Sequence, residues 1–227
     1  EAQTRGEWEL LLVEDCSTDG TLDVIKRYMD RSGDLRIRLI RQNGNQGAAR
    51  ARNRGLREAR GRYIAYLDAD DLWVPQKLER ELAFLKEKQA AFVFTGYEFA
   101  DEQGRGRGKV VRVPETLNYR QALSNTTIFT STVMFDTEKI KGEQLEMPLM
   151  KSEDTALWFR VLREGYIAWG LNENLVRYRR PGRSLSSNKL EAIRRIWNLY
   201  RKAEGLSVFC SAYHFCFWAV RAVKRRI

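Results

Sequence analysis

The chain has 227 residues, enough to bury one well-packed core or a main domain with a smaller appendage. Hydrophobic residues make up 43% and charged residues 31%, which is typical of a folded globular protein and excludes low-complexity and collagen-like chains. The net charge of +10 indicates an anionic partner, such as a nucleotide, a nucleic acid or an acidic membrane surface.

The cysteines and the apolar runs indicate the cellular context. Cys16, Cys210 and Cys216 are sparse and lack metal-ligand spacing, which favours a reducing compartment. The sequence contains no secretion signal and no apolar run of about 18 residues, so we expect no membrane-spanning helix. Residues 1–6 are typical of the end of a helix entering a strand, and we expect that the chain is a fragment.

Strands and helices alternate through the first part of the chain. Short apolar runs predict strands at 8–13, 35–40, 63–67 and 91–97. Apolar residues at helical spacing predict helices at 22–29, 48–59 and 75–88. This alternation predicts an α/β fold with a mostly parallel, Rossmann-like sheet that is flanked by helices and joined by right-handed crossovers. Ligands of such sheets bind beyond the carboxyl ends of the strands.

The pattern loosens after residue 97. Residues 101–109 are rich in glycine and arginine, which predicts a mobile hairpin tip before a strand at 110–113. A short strand is then predicted at 132–135, followed by a loop at 141–150 and a helix at 153–164. The regular alternation of strand and helix therefore does not extend into this part of the chain.

The third predicted strand, 63–67, ends in the acids Asp68, Asp70 and Asp71. Three carboxylates at the end of a buried strand are electrostatically costly unless a cation neutralises them. Asp68 and Asp70 can point into one crevice if the chain turns there. A small set of oxygen ligands suits Mg²⁺ or Mn²⁺ held jointly with a phosphate-bearing substrate. The alternative is that these acids cap the helix that opens at Pro75.

Further acids lie where other predicted elements end or begin. The first strand ends in Glu14 and Asp15, so Asp15 and Asp68 both follow strand ends and should face one crevice. Glu153 and Asp154 open a predicted helix, where acids in the first turn favour the helix dipole. Capping is one interpretation of this pair. The other, which we favour, is that the pair supplies a catalytic carboxylate.

Four segments in register carry a resemblance to a known family. They are LVEDCSTDGT at 12–21, NQG with ARN at 45–53, LDADDLW at 67–73 and SED at 152–154. Each motif alone is weak, but their order and spacing resemble the family 2 glycosyltransferases of the GT-A fold over roughly residues 8–185. The resemblance implies an inverting glycosyltransferase of the bacterial polysaccharide or cell-wall type. Its donor would be a nucleotide-diphosphate sugar, expected to be a UDP-sugar, and its acceptor a hydroxyl of a glycan or lipid-linked acceptor.

The resemblance also implies roles for individual acids. Asp15 is similar to the acid that hydrogen-bonds the nucleobase. Asp68 and Asp70 resemble the family's DXD pair, with Asp68 near the ribose and Asp70 on a divalent ion, Mn²⁺ or Mg²⁺. Asp154 resembles the catalytic base, and Glu153 resembles its partner.

The basic residues of the resemblance are less regular. Arg52 and Asn53 match a recurrent Arg-Asn pair, in which we assign Arg52 to nucleotide binding and interpret Asn53 as structural. Family members normally begin with an extra strand that helps to hold the nucleotide, so we expect that this chain is truncated at its N terminus. Many relatives carry a histidine where this sequence has residues 178–184. There Arg180 is a candidate contact to the diphosphate, since guanidinium groups suit phosphate oxygens; a solvated basic loop is the alternative.

The sequence predicts two helices in the C-terminal part of the chain. Residues 188–203 have apolar residues at helical spacing, which predicts a packed helix. Residues 206–220 are apolar on almost every side and precede basic residues, which predicts contact with an anionic membrane surface; docking on the domain or on a second subunit is the alternative. We therefore predict a nucleotide-sugar-binding portion at 1–110, an acceptor-side portion with the catalytic base at 111–187, and a helical tail at 188–227.

Two other functions fit parts of the sequence. A nucleic-acid-binding module would use the arginines of residues 50–60, but no recognition motif is present, and we predict no nucleic-acid partner. A nucleotidyltransferase that makes sugar nucleotides would share the sheet and the acids, but would normally show a glycine-rich phosphate loop near its start.

The predicted location is the cytoplasm, with the protein bound peripherally to the inner face of the cell membrane.

Overall fold

The computed structural model describes residues 2–179 and 189–224, which contain both strands and helices. The strands are β1 Leu10–Glu14, β2 Ile37–Arg41, β3 Tyr63–Ala65, β4 Leu72–Trp73, β5 Phe92–Ala100, β6 Gly106–Val111, β7 Thr116–Leu117, β8 Val133–Asp136 and β9 Ala168–Arg179. The helices are α1 Thr21–Ser32, α2 Ala48–Glu58, α3 Lys77–Glu87, α4 Tyr119–Ser124, α5 Glu153–Arg163, α6 Lys189–Asn198 and α7 Val208–Lys224. The sequence patterns did not predict the short elements β4, β7 and α4, nor the long strand β9.

The α/β fold class is confirmed, but the predicted strand pairing needs one correction. Within the described residues, β1 and β2 form a parallel two-stranded sheet, and the larger sheet has the order β3-β8-β5-β9-β4. In that larger sheet only β5 and β9 pair in parallel, so the prediction of a mostly parallel sheet is wrong. The physical reason is β8, which comes from later in the chain and inserts antiparallel between β3 and β5. Local alternation of strand and helix cannot reveal such an insertion.

An aromatic cluster under the larger sheet anchors helix α5. Phe92 on β5 stacks on Phe135 of β8 with ring centroids 4.4 Å apart, and Phe135 in turn stacks on Trp158 of α5 at 5.5 Å. Trp158 is almost completely buried, as are Leu157 and Val161 on the same helix. Burial of these side chains is the main stabilising contribution. These residues form a buried apolar face, which fixes the position of the helix's first turn.

Helix α2 packs between β1 and the loop that precedes α5. Gly55 approaches β1 so closely that an added Cβ would lie 3.3 Å from Val13 Cγ2. Just before the helix, Gly47 has φ +85°, a conformation that favours glycine. The buried Asn53 donates from Nδ2 to the Met147 carbonyl at 2.8 Å and accepts from the Met147 N–H at 2.6 Å. These contacts agree with the structural interpretation of Asn53.

The C-terminal helices pack on the domain beside α4. The predicted packed helix at 188–203 is present as α6 and a π-helical turn, Leu199–Ala203. In that turn Tyr200 is fully buried and donates from its hydroxyl to the Leu123 carbonyl at 2.6 Å. Among the described residues, no helix combines the length and the apolar character needed to cross a membrane.

Candidate active site

Arg52 joins two of the predicted site acids. Its Nη2 donates to Asp68 Oδ1 at 2.5 Å, and its Nη1 donates to Glu153 Oε1 at 2.8 Å. The three side chains are partly buried, with 19–29% of their surface exposed. Asp68 follows β3 and Glu153 opens α5, so one guanidinium on α2 holds together two segments that are far apart in the sequence. A planar guanidinium fork is suited to bridging two carboxylates in this way.

The electrostatics of Arg52 also include Asp154. Burial lowers the pKa of the Arg52 guanidinium, but the carboxylates of Asp68, Asp154 and Glu153 outweigh burial and raise that pKa above its ordinary value. Arg52 therefore stays positively charged at every physiological pH. It is the shared cation of acids that come from two different parts of the chain.

Asp154 lies at the start of α5, where two threonines orient its carboxylate. Its Oδ1 accepts from the Thr155 N–H at 2.6 Å, and its Oδ2 accepts from Thr130 Oγ1 at 3.2 Å. The residue before the acid pair, Ser152, has φ +62°, a strained conformation for a non-glycine residue. The capping interpretation thus applies to one oxygen of Asp154. The other oxygen is oriented by a residue from outside the helix.

Ser131 connects the acids that follow β3. Its Oγ donates to Asp71 Oδ2 at 2.5 Å and accepts from the Asp68 N–H at 3.0 Å. Burial, and next the negative charges of Asp68 and Asp70, raise the pKa of Asp71 to about 7, although the Ser131 hydrogen bond lowers it. Burial is the main cause of the raised pKa, and the negative charges of the two neighbouring carboxylates add to it.

Asp70 lies at the exposed edge of this cluster. Its backbone carbonyl accepts from Arg179 Nε, and Arg179 Nη2 donates to the Ala69 carbonyl at 3.3 Å, so Arg179 holds the turn. The structure gives the Asp70 carboxylate no hydrogen bond from any described residue. Nor does any group of three or more histidine, cysteine, aspartate or glutamate side chains within residues 2–179 and 189–224 form a complete metal site.

These residues nevertheless fit a divalent ion that is shared with a substrate. Mg²⁺ is usually bound through one or two carboxylates together with substrate phosphates, rather than by a cage of protein ligands. Asp70 supplies an exposed carboxylate, and Asp68 and Asp71 place two further carboxylates within two residues of it in the same turn. The donor set therefore suits Mg²⁺ or Mn²⁺ held jointly with a diphosphate.

Asp15 is bound to the loop that leads into α2. Its Oδ1 accepts from Gln42 Nε2 at 2.7 Å and from the Gln46 N–H at 2.8 Å, while its Oδ2 accepts from the Gly47 N–H at 2.7 Å. Both oxygens thus stabilise the N-terminal end of the helix that carries Arg52. The predicted contact with a nucleobase stays a prediction.

Sequence reasoning missed the three residues that orient these acids: Thr130, Ser131 and Arg179. The hydroxyl groups follow no motif, and only the tertiary structure brings the turn that contains them to the acids. Arg179 ends β9, a strand that the sequence patterns did not predict. The candidate diphosphate contact, Arg180, lies outside the described residues.

The fold compares well with two glycosyltransferases of known structure. TarS of S. aureus in complex with UDP-GlcNAc gives a TM-score of 0.66 at 21% identity, covering 96% of this chain and 65% of that one. The mannosyltransferase PcManGT from Pyrobaculum calidifontis, in complex with GDP-Man and Mn²⁺, gives a TM-score of 0.71 at 18% identity, covering 96% and 66%. This chain therefore spans about two-thirds of their length. At such identities the comparison shows the fold alone, which is that of a GT-A glycosyltransferase.

The sequence comparisons identify the family. Residues 1–139 match the model of glycosyl transferase family 2. TuaG of Bacillus subtilis (strain 168), a glycosyltransferase named for teichuronic acid biosynthesis, is 42% identical over 226 residues, which cover 99% of this chain and 88% of TuaG. WfgD of Escherichia coli, a UDP-Glc:alpha-D-GlcNAc-diphosphoundecaprenol beta-1,3-glucosyltransferase, is 33% identical over 87% of this chain and 75% of its own. The chain belongs to glycosyl transferase family 2, and the predicted enzyme class, a glycosyltransferase, is confirmed.

Proposed function

We propose that this protein is an inverting glycosyltransferase that moves a sugar from a UDP-sugar to a hydroxyl of a glycan or lipid-linked acceptor. The observation that carries the proposal is the bridge from Arg52 to Asp68 and Glu153, with Asp154 next in sequence to Glu153. Two comparisons support the choice of substrates. The TarS structure contains UDP-GlcNAc, and WfgD is named for a diphosphoundecaprenol acceptor.

Asp154 is the proposed general base. An acceptor hydroxyl is a poor nucleophile, and a carboxylate that takes its proton during attack contributes roughly 10²–10⁴-fold to the rate. The hydrogen bonds from Thr130 and Thr155 fix the orientation of the Asp154 carboxylate. Direct attack on the anomeric carbon inverts its configuration and needs no covalent intermediate. Glu153, through its ion pair with Arg52, positions the first turn of α5.

The nucleotide is the proposed partner of the acids at the strand ends. Asp15 would contact the base, Asp68 the ribose, and Arg52 would hold Asp68 in place. A divalent ion, Mn²⁺ or Mg²⁺, would be held by Asp70 and the diphosphate, where it would stabilise the negative charge of the leaving group as a Lewis acid. The proposed nucleotide-binding portion is residues 1–110, the acceptor-side portion 111–187 and the tail 188–227.

The proposed place of work is the inner face of the cell membrane, with the protein cytoplasmic and peripherally bound. A lipid-linked acceptor is confined to a membrane, so an enzyme that uses it must reach the membrane surface. The net charge of +10 favours an anionic surface of this kind. The same charge would attract nucleic acid, but no such partner is needed for the proposed reaction.

Replacing the base tests the proposal. In Asp154→Asn we expect sugar transfer to fall by at least about 100-fold, because the amide cannot accept the proton. Binding of UDP in the presence of Mn²⁺, measured by calorimetry, should change little. The matched control is Asp23→Asn, which alters an exposed acid in the first turn of α1. Normal turnover by Asp154→Asn would refute the assignment of the base, and absence of UDP binding by the unmodified protein would refute the choice of donor.

A further inference from the structure

Helix α7 presents an apolar face to solvent. Six exposed large hydrophobic side chains of the described chain lie on this one helix: Val208, Phe209, Tyr213, Phe217, Val220 and Val223. From Phe209 onward they follow one another at intervals of three and four residues, which places them on one side of the helix. Phe209 is 87% exposed. Contiguous apolar patches of this kind mark surfaces that contact proteins or membranes.

The other side of α7 is occupied by the domain. His214 Nδ1 lies 2.7 Å from Ser124 Oγ, and Ser211 is fully buried. Phe215 and Trp218 pack against the main core. The inner face of this helix therefore combines polar side chains with Phe215 and Trp218, while the outer face carries large apolar side chains that point away from the protein. A surface helix that faces water would instead present polar side chains on its outer face. Docking on the domain accounts for one face and leaves the other uncovered by any described residue.

A basic cavity of about 270 Å³ adjoins the C-terminal end of α7. It is lined by Lys109, Val110, Val111, Arg112, Asn125, Thr127, Arg221 and Lys224. Four of these side chains are cationic, and none of the described lining residues is acidic. Arg221 Nη1 donates to the Ser124 carbonyl at 2.6 Å, and Lys109 Nζ donates to the Lys224 carbonyl at 3.3 Å, which fixes the helix end beside the cavity.

We propose that the outer face of α7 lies in the interface of an anionic membrane and that the basic cavity receives the phosphate of a phospholipid headgroup. An apolar helix face beside a cluster of cations complements an acyl layer beside a layer of phosphates. This inference deepens the proposed function by naming the surface that faces the membrane, and it rests on that function for the membrane-bound acceptor. A second copy of the chain is a weaker occupant, because it carries the same net charge of +10 and offers no anionic layer to complement the cations of the cavity.

The cavity is also connected to the active site along the chain. Asn125 and Thr127 line the cavity, and Thr130, a few residues further on, donates to Asp154 at 3.2 Å. A membrane surface at the cavity would therefore lie on the side of the domain from which this segment leads to the proposed base. That arrangement suits an acceptor whose lipid stays in the bilayer while its sugar reaches the site.

Vesicle flotation of the full chain tests the apolar face. We expect binding to phosphatidylcholine vesicles that contain phosphatidylglycerol. Phe209→Ser with Val220→Ser should weaken this binding at least about tenfold, because two apolar side chains no longer enter the interface. The matched control is Leu35→Ser with Val24→Ser, which alters two exposed apolar side chains away from α7 and should bind like the unmodified protein.

The basic cavity has a separate test on the same vesicles. Lys109→Gln with Arg112→Gln should reduce the preference for phosphatidylglycerol over pure phosphatidylcholine by about tenfold, since each surface cation contributes to binding. Lys26→Gln with Arg27→Gln removes two exposed cations from α1 and is the control. If the cavity variant and the control variant show the same preference for phosphatidylglycerol, the cavity is excluded as the phosphate site.

Three results would overturn the inference. The first is that the unmodified protein does not bind the anionic vesicles, and the second is that Phe209→Ser with Val220→Ser binds them normally. The third is a dimer in sedimentation velocity that this double variant dissociates, which would assign the face to a second copy. Binding of UDP with Mn²⁺ is measured on the same preparations. Loss of UDP binding would count against the proposed function, whereas loss of vesicle binding alone concerns only α7.

Discussion

The acids that follow β3 and the acids that open α5 are held in different ways. Asp71 is buried among like charges, with a pKa raised to about 7, and the neighbouring Asp70 carboxylate is exposed. Glu153 has an ion pair with Arg52, and Asp154 accepts a hydrogen bond from Thr130. Asp68 shares Arg52, but neither Asp70 nor Asp71 forms an ion pair within the described residues, so these two acids would gain from a cation. The pair that opens α5 is already oriented, as a proton acceptor must be before its substrate arrives.

Removing the cation that the two groups share should have the largest effect. In Arg52→Ala the part-buried carboxylates of Asp68 and Glu153 lose their partner, and we expect transfer to fall about 10³-fold, or about 4 kcal/mol. Arg52→Lys should recover only part of the rate, because an ammonium cannot bridge both acids as a fork. The control is Arg54→Ala on the same helix, whose ion pair with Glu58 is a surface pair. Equal initial rates in Arg52→Ala and Arg54→Ala would contradict this role.

Titration of Asp71 should make stability depend on pH. Its pKa is about 7 in the folded protein against 3.8 in the unfolded chain, so the folded state binds the proton more tightly. The contribution of Asp71 to stability is therefore fully present below about pH 4 and is lost as the pH rises to about 7, a change of about 4 kcal/mol. Urea unfolding of Asp71→Asn across this range should show a flatter pH dependence. An unchanged pH dependence would mean that the charge of Asp71 is neutralised in some other way.

Asp70 forms no ion pair within the described residues, and this predicts a smaller effect, on metal-dependent binding. In Asp70→Ala we expect the Mn²⁺-dependent part of UDP binding to weaken about tenfold, or about 1.4 kcal/mol, because the exposed carboxylate ligand is lost. Calorimetry of UDP binding with and without Mn²⁺ measures this weakening. Asp30→Ala, which removes an exposed acid on α1, should keep the normal metal dependence. If Asp70→Ala keeps it too, Asp70 is not the ligand.

The sequence was sufficient for the elements that depend on local pattern. Apart from β4, the strands and helices of residues 8–97, the presence of α5 and the positions of Asp68 and Asp154 follow from apolar spacing, turn residues and motifs. The resemblance to family 2 glycosyltransferases is carried by motifs within the sequence, and the sequence comparisons confirmed it. The assignment to this family therefore needs no coordinates.

The remaining features depend on contacts between distant residues. Insertion of β8 between β3 and β5 places an antiparallel strand where the local pattern predicts parallel neighbours. The hydrogen bond from Ser131 to Asp71 and the ion pair between Arg52 and Glu153 join residues that are 60 and 101 positions apart. No periodicity records such contacts. The outward apolar face of α7 likewise follows from which side of the helix the domain covers.

A double-mutant cycle between Asp68→Asn and Glu153→Gln tests most directly whether the separated acids work as one site. Each substitution removes one arm of the Arg52 bridge, so the rate losses should overlap, with a coupling of at least about 0.5 kcal/mol in the rate of sugar transfer. Additive losses, with no coupling between the two positions, would contradict the account that Arg52 gathers these acids into a single catalytic cleft.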